Sequence, residues 1–182
     1  MEEQHGWEDL ANVIGRARDR AEDADDDPEG LDLMMAEGLG GLDPFAKVPI
    51  DQANNVVMLR EAVAGVRDGS LSLEDYQEAV EEIARMARTG VQLFASEPLK
   101  QRVAELPEDQ AALIWQTGEQ IALLKEGTEK MLAYVETQSP GDLDEGWAIT
   151  EKVMLDLDQL QDQAIIKARQ FQAEHVEEDN PG

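Results

Sequence analysis

Cysteine is absent from the 182 residues, which excludes disulfides, thiolate nucleophiles and thiolate metal centres. Aromatic side chains are scarce at 4%, so a core must be built from Leu, Ile, Val, Met and Ala. That palette suits helices packed on helices better than sheets. Basic side chains are outnumbered 41 to 15, giving a formal net charge of −26. Counterion release from a nucleic-acid backbone requires Lys and Arg gathered on one face, so no direct nucleic-acid binding is expected. Attraction to anionic lipid fails for the same reason. No uninterrupted apolar run approaches the roughly 20 residues of a membrane span, so no membrane insertion is expected either. The start, Met-Glu-Glu-Gln-His, lacks the basic-then-apolar order of a signal peptide, and the expected location is cytoplasmic. No stretch alternates as a strand, and no repeat of fixed period is visible.

The acid that is present is unevenly spread. Bases minus acids give 4 − 14 = −10 for residues 1–50, 6 − 10 = −4 for 51–106 and 5 − 17 = −12 for 107–182. Within the first third, Trp7, Leu10, Ile14, Ala17 and Ala21 recur at spacings of three and four, one stripe of an amphipathic helix. Arg16, Arg18 and Arg20 lie around that stripe. The acidic run closing at Asp27-Pro28 ends the pattern, because proline disfavours helix before it and crowded carboxylates repel; residues 1–29 thus read as a helix and a solvated linker. Residues 30–50 combine Gly38, Gly40, Gly41, Pro44 and Pro49 with Met34, Met35, Leu39, Phe45 and other apolar side chains. The first set forbids a long regular element and the second is too apolar for a free tail. The segment is expected either to cover its own domain or to dock on a partner, with Met34, Met35, Leu39, Phe45 and Trp7 as the candidate partner-binding residues.

Residues 51–176 read as a helical domain. Asp51 can cap a helix reaching about Arg67, with Val56, Leu59, Val63 and Val66 on its buried face. Gly69 closes it, and Ser72 with Asp75 forms an approximate capping box for the next helix, so that 51–97 is a helix–turn–helix. Pro98 and Pro107 bracket a short helix, 99–106. A long hairpin follows over 107–176, its arms meeting at Ser139-Pro140-Gly141-Asp142. Gly118 and Gly127 inside its first arm each cost about 1 kcal/mol relative to Ala, an expense that close helix crossings would explain. Residues 177–182 read as a disordered tail. The expected fold class is all-α: an elongated helical bundle with a long C-terminal antiparallel helical hairpin.

Chemistry is sparse in this chain. The stretch Asp68-Gly69-Ser70-Leu71-Ser72-Leu73-Glu74-Asp75-Tyr76 resembles the second half of an EF-hand calcium loop. The resemblance would put Asp68 and Gly69 at positions five and six, Ser72 at nine and Asp75 at twelve. Positions one and three then fall on Ala64 and Val66, whose side chains carry no oxygen, and Asp75 replaces the longer bidentate Glu. The same letters describe a capped joint between two helices. Asp23, Asp25 and Asp27 imitate the opening of such a loop, but Pro28 stands at the turn glycine and Met34 at the last ligand. Glu2 and His5 form one Glu-x-x-His where a di-iron bundle needs two. No serine lies in a Gly-x-Ser-x-Gly elbow, and Gly38–Gly41 lacks the Lys-Ser/Thr of a phosphate loop. No cofactor or metal is expected, nor catalysis.

These readings converge on a non-enzymatic, acidic, helical interaction protein: a scaffold, adaptor or assembly factor that binds protein partners or self-associates through amphipathic helices. Its partner is expected to be a protein, favoured to be basic, or a second copy. Two other roles follow from the charge: a decoy or chaperone masking a basic protein surface, or adaptation to a salty cytoplasm.

Overall fold

The computed structural model describes residues 53–178. The candidate partner-binding residues Trp7, Met34, Met35, Leu39 and Phe45 lie outside the described residues, as does Asp51. Five helices make up the described chain: α1 (Asn54–Asp68), α2 (Leu73–Ala95), α3 (Glu97–Ala104), α4 (Glu108–Thr137) and α5 (Pro140–Glu178). The fold is the expected all-α bundle closed by a long C-terminal hairpin. Packing runs in a ring, with α1 against α2, α2 against α4, α4 against α5 and α5 back against α1. Helix α3 buttresses α2 and α4. Helices α2 and α4 run antiparallel, as do α4 and α5. Along α2 and α4, Tyr76 reaches Met131, Gly90 lies against Ile121 and Phe94 against Gly118. Along α4 and α5, Gly127 meets Gly146 while Asp109 pairs with Lys167.

The core is aliphatic, as the scarcity of aromatics requires. Leu59, Val63, Val80, Ile83, Met131, Val153 and Leu157 are fully buried at its centre. The one aromatic there, Tyr76, has its hydroxyl satisfied by the Met131 carbonyl at 3.0 Å and its ring edge-on to Tyr134. Burial pushes the Tyr76 phenol well above the ordinary tyrosine range. Thr117 and Thr128 are buried in α4, each hydroxyl donating to the carbonyl four residues back, at 2.8 and 2.9 Å.

Glycines set the closest approaches. A Cβ at Gly146 would stand 2.7 Å from the Met131 nitrogen and 2.8 Å from the Gly127 carbonyl oxygen. The hairpin arms therefore touch backbone to backbone at this level. At Gly118 an added Cβ would meet the Phe94 ring at 2.6 Å. Both mid-helix glycines expected to mark crossings do so.

The boundaries differ from expectation in four places. Helix α1 begins at Asn54 with Ala53 at its N-cap and no side-chain cap. Helix α3 takes Pro98 into its first turn, where the missing N–H has no partner to lose. The hairpin turn is shorter than Ser139–Asp142: Pro140 opens α5 as a helix-starting proline. The reversal falls on Gln138, which adopts the left-handed backbone at φ 50°. At its far end α5 continues through Glu177 and Glu178, since no breaker intervenes before Pro181. The arms are consequently unequal, about 45 Å for the 30 residues of α4 and about 58 Å for the 39 of α5.

Candidate functional site

The joint between α1 and α2 is built from its caps. Gly69 takes the left-handed conformation at φ 78° that ends α1. The Leu71 N–H donates to the Gly65 carbonyl at 3.0 Å, folding the loop back on the helix. A Cβ at Gly65 would lie 2.8 Å from the Leu71 Cβ, so only glycine lets the loop pack there. The Asp68 carboxylate accepts the Ser70 N–H at 2.9 Å, and hydrogen bonding by Ser70 holds its pKa below the usual range. Ser72 Oγ accepts the Asp75 N–H at 3.1 Å and donates to the Asp75 carboxylate at 2.6 Å. The oxygens that resembled ion ligands are thus engaged in local capping. Among the described residues, no group of three or more His, Asp or Glu side chains is placed to hold a metal ion.

Beside this joint, α1 and α2 splay to leave an open groove of about 580 Å³. Its floor is Val57, Met58, Ala62 and Ala79, with Glu61 and Asp75 at the rim. It offers apolar contact and two carboxylates, and no nucleophile beyond the Ser70 hydroxyl. The outer face of α2 is acidic: Glu74, Glu78, Glu81 and Glu82 line a shallow surface with Gln77 and Arg85. One of these carboxylates, Glu81, is paired to Arg88 at 2.9 Å. The hydrogen-bonded carboxylate in turn raises the Arg88 pKa.

The third feature is apolar and was not singled out by the stripes. Leu93, Trp115, Leu123, Leu155 and Ile166 are exposed. Leu155 and Ile166 are 47% and 55% exposed and eleven residues apart on α5, three turns of one face. They lie opposite the stripe that spacings of three and four mark from Leu143 through Trp147, Thr150, Met154, Leu157, Leu160, Ala164 and Ala168 to Phe171. Of these Trp147 is half-buried, the Phe171 side chain lies outside the described ones, and the rest are buried. The signal was available as apolar letters out of phase with that stripe. Helix α5 also carries ten carboxylates against three Lys and Arg, counted over Pro140–Glu178.

Surface ion pairs tie elements together without closing a site. Arg67 of α1 pairs with Asp144 of α5, Lys130 with Glu145 at 3.2 Å and Lys167 with Asp109 at 2.6 Å. Lys167 hydrogen-bonds the Asp109 carboxylate and holds its pKa down.

The fold and these surfaces define an acidic, all-α bundle closed by a long hairpin, with apolar side chains on an outer helix face. No protein-family model, no curated protein and no solved structure matches the chain. Among the described residues, no helix is long and apolar enough to cross a membrane.

Proposed function

We propose that the protein is a non-enzymatic helical interaction protein of the cytoplasm, a scaffold, adaptor or assembly factor. The observation that carries this reading is the outer face of α5. Leu155 and Ile166 project from a helix whose own core stripe is already buried, in a setting of carboxylates. Apolar anchors three turns apart, rimmed by acid, suit an amphipathic partner helix with basic flanks. The segment with Met34, Met35, Leu39 and Phe45 would serve as a second docking element.

Sedimentation at several protein concentrations separates self-association from a monomer that needs another chain. Capture from the native host, run with wild type and with Leu155→Lys/Ile166→Lys, then tests the face. The reading expects either a concentration-dependent oligomer or a captured protein, in each case lost from the double variant. A monomer at all concentrations that captures nothing overturns it.

A second reading, an acidic decoy over a basic protein surface, is favoured by the α2 face with Glu74, Glu78, Glu81 and Glu82. It requires binding that weakens steeply as salt shortens the Debye length. Affinity for basic partners that stays constant from low to high salt removes it.

A further inference from the structure

Helix α1 is apolar on more than its core stripe. Val56, Leu59 and Val63 are buried at the centre of the bundle, with Val66 partly buried beside them. A second face runs through Met58, Glu61, Ala62 and Gly65, at spacings of three and four. On α2, Asp75 and Ala79 stand four apart, and with Leu71 of the joint they line the groove of about 580 Å³ that this face borders. That volume falls among those of small-ligand sites, about 300–1,000 Å³. The groove owes its room to small residues, since longer side chains at Ala62 and Ala79 would fill it. Met58, Leu71 and Ala79 pack against the core and remain partly open to solvent.

The lining holds two carboxylates and no base. Glu61 has Val57, Met58, Ala64 and Gly65 at the positions three and four residues away, so no cation of α1 reaches it across a turn. None of the ion pairs among the described residues includes Glu61 or Asp75. The Asp75 carboxylate accepts the Ser72 hydroxyl at 2.6 Å, which leaves it further acceptor capacity. Apolar floor and uncompensated negative rim thus stand together in one groove.

We infer that this groove receives a segment of a protein partner in which an apolar side chain stands beside Arg or Lys. The apolar side chain covers Met58, Ala62 and Ala79, and the unbranched Met58 adapts to its shape. The basic side chain lays its aliphatic stem on the same floor and brings its charged head to Glu61 and Asp75. A small free cation in so open a site keeps its hydration and gains little from exposed carboxylates. A second copy of the chain would bring a formal charge of −26 against −26, which opposes its approach. The site is separate from the α5 face and stands without it.

The test is a titration of the full chain, labelled at Met, Ala and Ile methyl groups, with acetyl-Ala-Leu-Arg-Leu-Ala-amide and with its Glu counterpart. The Arg peptide is expected to shift the methyls of Met58, Ala62 and Ala79 saturably, to leave Ile166 unmoved, and to bind about tenfold tighter than the Glu peptide. Glu61→Gln/Asp75→Asn should remove most of that preference with melting unchanged, because an amide oxygen still accepts the Ser72 hydroxyl. Absence of a saturable shift, equal affinity for the two peptides, or a preference that survives in the double variant overturns the inference. So does n-butylguanidinium, if it moves the same methyls at the same concentrations as the Arg peptide. A shift of Ile166 alone removes this site and leaves the α5 reading standing, whereas failure of Leu155→Lys/Ile166→Lys to affect binding leaves this site untouched.

Discussion

At Gly146 the side chain that is missing determines how near α4 and α5 can come. Placing even one carbon there drives it into the Met131 nitrogen and the Gly127 carbonyl, backbone atoms that cannot rotate away. Gly146→Ala should therefore destabilise by about 1–3 kcal/mol. Gly141→Ala, whose Cβ would find only Ser139 Oγ at 3.6 Å, should be neutral or stabilise by up to about 1 kcal/mol. Thermal melting of the two variants checks the contrast. Tyr76 gives a pH signature. Its phenol stays protonated in the fold to higher pH than in the unfolded chain. Above the ordinary tyrosine pKa near 10 the unfolded state therefore binds fewer protons, and stability falls as pH rises. Tyr76→Phe should lose about 1 kcal/mol at neutral pH with the Met131 hydrogen bond, and should show a shallower alkaline decline than wild type. Denaturant midpoints from pH 8 to 11 measure this. Gly118 and Gly127 could be read from the sequence, because glycine in mid-helix needs a reason. The burial of Thr117 and Gln161 could not, since polar letters become informative only when a neighbour covers them.

Among the elements, the α1–α2 joint was the most legible, because each of its residues acts locally. Gly69 reverses the chain, and Ser72 with Asp75 caps α2 through bonds spanning three residues. Ser72→Ala should cost about 1 kcal/mol by melting. Calcium up to millimolar levels should leave the melting temperature unchanged, because the Asp68 and Asp75 oxygens serve caps and Ala64 and Val66 provide none. A calcium-dependent rise would restore the ion-site reading. The hairpin turn was less legible. Pro140-Gly141 carries the letters of a turn, yet proline without an N–H to lose also opens a helix, and the left-handed residue proved to be Gln138. Stripe phase predicted which side of α5 is buried. It gave no notice that Leu155 and Ile166, outside that phase, would stand on the outer face.

At the scale of the described bundle, α1, α2, α4 and α5 close a ring whose ion pairs lie at the surface. The class of fold was legible because periodicity and turn letters fix helices, and short connections fix antiparallel neighbours. The exposed apolar face of α5 was not, because exposure depends on which neighbours cover a helix and not on its letters alone. The bundle's core and the outer α5 face should be separable: Leu155→Lys/Ile166→Lys, being surface changes, should shift stability by less than about 0.5 kcal/mol each. The most direct measurement is the affinity of the captured partner, or of the self-dimer, for wild type and for this double variant at one salt concentration. Removal of two apolar anchors is expected to weaken binding by at least about tenfold with melting unchanged. An affinity equal to that of wild type, in a variant that melts normally, would contradict the assignment of this face to partner binding.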